Sequence, residues 1–309
     1  MKPARLALCL IALSCLAQQD GILAWAPKPV APDRWSGANK PHITYSDLLA
    51  RHKGQSNWTE VVLDDKDLHG EFIWFAPGTK TPPRLHPDTR EWWVITEGRI
   101  RFNIEGQEPF VASKGWMVQV PYRTIYSMET IGDTPSLRLE VNVAHARTMY
   151  PLKGEKPAAN PGIEFVPVRV RGVTRVAGRY ENGNKPFTTW EEMAAKVEKM
   201  PGHRATLRVV NDDRGAANFI YGYAKDLPPT NDADKGHFHE EGGEFWIILS
   251  GEIEYKIETL ETFVARPYDV VYVPPFTWHR ARFHGDAPAT RLAMNGFLEI
   301  AHLFDASGE

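Results

Sequence analysis

The sequence predicts an all-β protein built of two tandem copies of one unit with short flanking helices, and three observations carry that prediction. Apolar runs such as Phe245–Leu249 and Val270–Val273 have the length of strands rather than helices. Glycine and proline, 24 of each among 309 residues, supply the turns that many short strands need. A spaced set of residues also recurs. Arg84, His86, Glu91 and Gly98 return as His237, His239, Glu244 and Gly251, while Gly115, Pro121 and Tyr126 return as Tyr268, Pro274 and His279. Every pair is separated by 153 positions. The chain is therefore an internal duplication.

Residues 1–26 read as an export signal. Lys2 and Arg5 precede a run of about a dozen apolar residues, too short to cross a bilayer. Cleavage after Ala17 or Ala26 removes both cysteines, Cys9 and Cys15, leaving a mature chain without disulfide or thiolate. Periplasmic or secreted placement follows; lipid anchoring on Cys15 is the weaker alternative. Residues 27–40 form a proline-rich arm, expected on the surface or across the other barrel. The first unit spans 41–150 and the second 186–309. Each opens on a helical segment, ITYSDLLARHKG or FTTWEEMAAKVEKM, entered through a threonine or serine cap with an acid in the first turn. The connector, 151–185, is rich in proline and glycine. Its stretch 166–180 alternates apolar and basic residues, which predicts a half-exposed strand.

Composition narrows the function. A formal charge of −3 gives no basic footprint, which argues against nucleic acid as a partner. The hydrophobic fraction of 42% is that of an ordinary globular protein, and the length is enough for two cores. A small-molecule substrate is expected, and a homo-oligomer is compatible with the sequence.

The chemistry concentrates in GHFHEEGGEFWIILSG and RPYDVVYVPPFTWH. In an extended strand, side chains two apart share a face about 6.6 Å apart, so His237 and His239 aim at one cavity while Phe238 turns away. Glu244 lies on the next strand, and His279 follows the turn at Pro274 and Pro275. Imidazoles and a carboxylate suit one divalent transition metal: manganese, iron, copper, nickel or zinc. A lone His-x-His pair is a weak signal, whereas four ligating residues in this order carry more weight.

The segment His237–Gly251, H-x-H-x4-E-x6-G, resembles the first motif of the cupin superfamily, and Tyr268–His279 resembles the second. The resemblance implies two jelly-roll β-barrels, a bicupin, with His237, His239, Glu244 and His279 as metal ligands in the C-terminal one. Tyr268 and Phe276 stand where the family usually has glycine, and Phe283 where it has asparagine; these departures concern turns rather than ligands. Bicupins similar to oxalate decarboxylase carry metal in both barrels, which this chain does not match.

In the N-terminal copy Arg84 cannot ligate a metal, because its guanidinium offers only donors. It is expected to pair with Glu91 in place of an ion. Arg84, His86, Glu91 and Tyr126 then form either a structural cluster or a site for an anionic substrate tail. Strand alternation offers Trp246, Ile248, Phe283 and Tyr221 or Tyr223 as lining of the C-terminal cavity; Tyr221 and Tyr223 are the candidates for a catalytic hydroxyl. The loop 226–236 adds Asp232, Asp234 and Lys235 near its mouth. Three function classes remain: an exported metal-dependent oxidoreductase similar to a dioxygenase, a non-oxidative decarboxylase, lyase or isomerase, and a binding protein. The first is preferred.

Overall fold

The computed structural model describes residues 22–32, 35–154, 156–157, 162–172, 174–229 and 231–307. Of residues 1–26, expected to be an export signal, those through residue 21, with Cys9 and Cys15, lie outside the described residues. Among those described, no helix is long and apolar enough to cross a membrane.

Each unit closes a jelly-roll barrel from two antiparallel sheets. In the first, Phe187–Thr189, Trp116–Val120, Glu91–Glu97, Ser136–Val143, Leu68–Phe75 and Trp58–Asp64 lie side by side in that order. They face a smaller sheet of Phe110–Ser113, Arg99–Ile104 and Tyr126–Thr130. The second unit repeats the plan with His42–Ile43, Val270–Val273, Glu244–Ser250, Ala289–Asn295, Gly215–Gly222 and Ala205–Asp212. Its opposing sheet holds Phe263–Ala265, Glu252–Ile257, His279–His284, His237–Phe238 and Leu303–Phe304.

The first and third of these lists contain an exchange that the unit boundaries 41–150 and 186–309 did not anticipate. His42–Ile43 pairs with the C-terminal barrel, Ile43 opposite Val270; Phe187–Thr189 pairs with the N-terminal barrel, Thr188 opposite Met117. Each unit thus lends its leading strand to the other. Both short helices, Tyr45–Arg51 and Trp190–Val197, start on threonine caps: Thr44 accepts from the Asp47 N–H and Thr189 from that of Glu192. The arm also crosses to the C-terminal barrel, where Lys28 pairs with Glu258 at 3.0 Å and the Trp35 indole donates to the Tyr272 carbonyl at 2.7 Å.

Strand alternation divides the core into three. Along Glu91–Glu97, Trp93 and Ile95 face the N-terminal barrel interior, while Trp92 and Val94 join a core shared between the barrels. Along Glu244–Ser250, Trp246 and Ile248 turn inward, and Phe245, Ile247 and Leu249 enter the shared core. Each buried large side chain in that core contributes about 1.5–3 kcal/mol, and this holds the two barrels together as one body.

The motif turns follow from sterics. Gly98 and Gly251 adopt φ of 70° and 65°, and a Cβ there would approach the carbonyl oxygens of Pro135 and Pro288 at 2.2 and 2.5 Å. Tyr268 and Phe276, which replace the family's glycines, also take positive φ, 71° and 59°. Left-handed backbone costs a bulky residue about 1–2 kcal/mol. Packing of the Tyr268 ring 5.1 Å from that of Tyr45 helps to offset it. The strand expected over 166–180 is not formed: its described residues belong to no strand, and Val166, Val168 and Val176 are exposed. Alternation alone cannot form a strand where no sheet edge is offered.

Candidate metal centre

Register brings the histidines together. His237 and His279 face each other directly across one antiparallel pair. The approach is tight: a Cβ on Gly236 would lie 2.0 Å from the His279 carbonyl oxygen, so only glycine fits before His237. Phe238 turns the other way, its ring 4.8 Å from and perpendicular to Trp278. The His239 carbonyl is fixed by the Phe276 N–H at 2.7 Å. Glu244 opens the next strand of the chain, in the opposing sheet, opposite Val273.

The ligand atoms of His237, His239, Glu244 and His279 all lie within 4.8 Å of one another. His239 Nδ1 lies 2.8 Å from the Ala301 carbonyl and His279 Nδ1 2.9 Å from that of Thr277. These acceptors assign the Nδ1–H tautomer and turn both Nε2 atoms toward Glu244, at 3.1 and 3.3 Å. The Nε2 of His237 is buried with no hydrogen-bond partner. A buried orphan nitrogen facing two other imidazoles and a carboxylate fits a bound divalent ion.

The electrostatics agree. Burial pushes the His237 imidazole down to about 2, helped by the neighbouring His279, so its ring is neutral and able to ligate. Burial alone would raise Glu244, but the adjacent His239 and His279 rings outweigh it and hold the carboxyl well below its usual range.

Trp246 packs beside the centre, its ring 5.4 Å from His279, and Ile248 and Phe283 fill the barrel beneath. Tyr221 and Tyr223 are not brought there. They lie on the opposite face of their strand from Ile220 and pack against the shared core, and both hydroxyls donate to Glu198 Oε1. The strand's phase explains the difference: its odd-numbered positions face away from the metal barrel. In the loop, Asp234 pairs with Arg280 at 3.1 Å and Lys235 with Asp305 at 3.4 Å, while Asp232 gives a carbonyl to Lys256. These contacts brace the strand carrying the histidines.

Sequence reasoning missed His302. The terminal strand Leu303–Phe304 pairs with His237–Phe238 and carries the His302 ring to within 4.8 Å of His237 and 4.6 Å of His239, centroid to centroid. The repeat does not signal it, because the matching tail of the N-terminal unit, where Met149 bridges Leu85, carries Thr148 at the corresponding place.

In the N-terminal barrel the corresponding four residues also converge. Arg84 Nε donates to the Tyr126 hydroxyl at 2.7 Å, and its Nη2 lies 2.8 Å from Glu140 and 3.6 Å from Glu91. His86 Nε2 is 3.3 Å from Glu91, to which Tyr126 also donates. Burial raises the Glu91 carboxyl, but Arg84 and His86 overcome this and bring it down to about 2. The guanidinium takes the place an ion would take, with Tyr126 and Glu140 as added partners.

With that geometry in hand, the comparisons are informative. The family described as "Cupin domain" matches residues 72–142 and again 225–295. The chain is a two-domain cupin. Among solved structures this cupin is similar to salicylate 1,2-dioxygenase from Pseudoaminobacter salicylatoxidans, with TM-score 0.63, 12% identity and coverage of 91% of this chain and 89% of that one. It is also similar to Lactobacillus farciminis oxalate decarboxylase, with TM-score 0.52, 14% identity and coverage of 90% and 91%. A cupin 2 conserved barrel domain protein from Leptotrichia buccalis gives TM-score 0.56, 13% identity and coverage of 82% and 94%. At these identities the likeness establishes the fold. A search of curated proteins returns no match.

Proposed function

We propose that this cupin is an exported metal-dependent oxidoreductase, dioxygenase-like, acting on a small oxygenated organic molecule in the C-terminal barrel. One observation carries the reading: a four-residue centre of three imidazoles and one carboxylate stands in one barrel alone, while Arg84 fills its counterpart. The likeness to salicylate 1,2-dioxygenase, over 91% of the chain, supports the oxidative choice. A divalent transition metal there supplies Lewis acidity toward a substrate oxygen and, where redox-active, electron transfer. The chain's own part is to hold His237, His239, Glu244 and His279 in place, to fix two tautomers through Ala301 and Thr277, and to exclude water with Trp246, Ile248 and Phe283.

Elemental analysis of protein purified without added metal, followed by oxygen-electrode measurements with small oxygenated compounds, tests the proposal. One ion per chain and substrate-dependent oxygen uptake, lost in His279→Ala, are expected. Turnover without oxygen consumption replaces the oxidative reading with a decarboxylase, lyase or isomerase. Export is tested by cell fractionation and by the N-terminal sequence of the exported protein.

A further inference from the structure

The two barrels differ in one further respect, visible only when their registers are laid together. In the N-terminal barrel Ile95 and Ile73 face Arg138, Trp93 faces Glu140, and Glu71 faces Glu140 across the next strand. In the C-terminal barrel Ile248 and Ile220 face Arg291, Trp246 faces Ala293, and Asn218 faces Ala293. Position by position, the arginine is kept while both acids are replaced: Glu140 by Ala293 and Glu71 by Asn218.

Of the two, Glu140 serves the N-terminal barrel as a counterion. Glu140 lies 2.8 Å from Arg84 and 3.6 Å from Arg138, and it accepts from the Trp93 indole at 2.7 Å. Two guanidiniums thereby meet two carboxylates, Glu91 and Glu140. The C-terminal barrel has no such balance. Arg291 keeps one face on the Phe283 ring at 5.5 Å, and its Nε, like that of Arg138, is buried without a hydrogen-bond partner; what Arg291 lacks is the carboxylate that Arg138 has at 3.6 Å in Glu140. The hydroxyl of Tyr255, a fully buried residue of the same interior, is also unpartnered. Trp246, which corresponds to Trp93, faces a methyl group instead of a carboxylate. Glu244 and Arg291 cancel, so a divalent ion at the centre leaves the interior with two uncompensated positive charges. A buried charge without a partner is expensive, which makes an anionic guest favourable. Burial lowers the Arg291 pKa, opposed by nearby Tyr255 and Glu244, in keeping with a guanidinium that lacks a full counterion.

We infer that the metal-bearing barrel takes a small organic carboxylate, its anionic group seated where Glu140 stands in the other barrel, against Arg291 and the Trp246 indole N–H beside the metal centre. This deepens the proposed function and rests on it: the substrate is an anion, and Arg291, Trp246 and Ala293 select it. Ala293 makes the room, and Arg291 supplies the charge.

The test uses full-length protein loaded with Co(II), its visible absorption followed during titration with acetate and with acetamide, the neutral isostere. Acetate should shift the spectrum saturably and acetamide should not. Arg291→Gln should weaken acetate about 10- to 100-fold, the range expected for losing a charged hydrogen-bond partner, with one cobalt per chain retained. Ala293→Glu, which rebuilds the internal counterion, should do the same and covers the case in which Arg291→Gln fails to fold. Wild-type protein that takes up no cobalt sinks the proposed metal function and this inference with it. Cobalt uptake with acetamide binding as well as acetate, or with both variants titrating within twofold of wild type, overturns this inference alone.

Discussion

Arg84 and His237 occupy the same position of two barrels, and each faces the residue that completes its site: Arg84 opposite Tyr126, His237 opposite His279. A proton-bearing guanidinium in one place and an orphan imidazole nitrogen in the other decide which barrel is fitted to hold an ion. His237→Ala or His279→Ala should therefore abolish stoichiometric metal binding, whereas His86→Ala should leave metal content unchanged. Elemental analysis of the three variants checks this. Equal loss from His86→Ala would mean that the N-terminal cluster is occupied too.

The same correspondence runs in reverse. Arg84→His combined with Tyr126→His recreates three imidazoles around Glu91, and metal content should rise from one ion per chain toward two. Arg84→Ala alone should behave differently, because it leaves Glu91 and Glu140 buried beside an incomplete set of partners. Removing one member of such a cluster costs about 3–5 kcal/mol. Urea unfolding of Arg84→Ala measures that loss, and a change under about 1 kcal/mol would contradict the role given to the guanidinium.

Much of this was legible in the sequence, for identifiable reasons. The 153-residue offset marks both sites because the register that pairs Arg84 with Tyr126 is the one that pairs His237 with His279. Trp246 follows Glu244 by two positions and shares its face, as a strand dictates. Tyr221 and Tyr223 shared a face as expected, but spacing within one strand does not say which side of the sheet that face meets. His302 and Arg291 lay beyond reach for different reasons. His302 arrives through a strand whose counterpart, bridged at Leu85 and Met149, carries Thr148 instead of a histidine. Arg291 matters for what its neighbours have lost, which appears only once Ala293 and Asn218 are matched to Glu140 and Glu71.

The N-terminal cluster should leave a pH signature. Burial lowers the His86 imidazole, but the charge and hydrogen bond of Glu91 outweigh it, so the folded value lies above the ordinary 6.5. His86 thus stabilises the fold fully below about pH 6.5, and that contribution fades as pH rises through the folded value. Glu91 falls from 4.5 to about 2 on folding, so its contribution is complete above about pH 4.5 and fades as pH falls toward 2. The cluster is strongest between these limits. His86→Gln should flatten the decline on the alkaline side in a series of urea midpoints and, because His86 helps Arg84 to hold Glu91 down, move the acid limb to somewhat higher pH. An alkaline limb identical in variant and wild type would show that His86 gains no proton affinity on folding.

The two interior arginines make opposite predictions for one substitution. Arg138 lies 3.6 Å from Glu140, and its loss leaves that carboxylate with Arg84 as its remaining cation. Arg138→Met should lower stability by about 1–3 kcal/mol, the penalty of an under-satisfied buried charge. Arg291 has no such carboxylate beside it, since Ala293 and Asn218 stand where the N-terminal barrel has Glu140 and Glu71. Replacing an uncompensated buried cation with an apolar side chain of similar length is neutral or stabilising, by up to about 4 kcal/mol. Arg291→Met should therefore unfold at the same or higher denaturant concentration than wild type when the metal site is loaded, and Arg138→Met at a lower one. If Arg291→Met proved the more damaging of the two, Arg291 would have a structural partner within the barrel, and an anionic guest would no longer be needed to balance its charge.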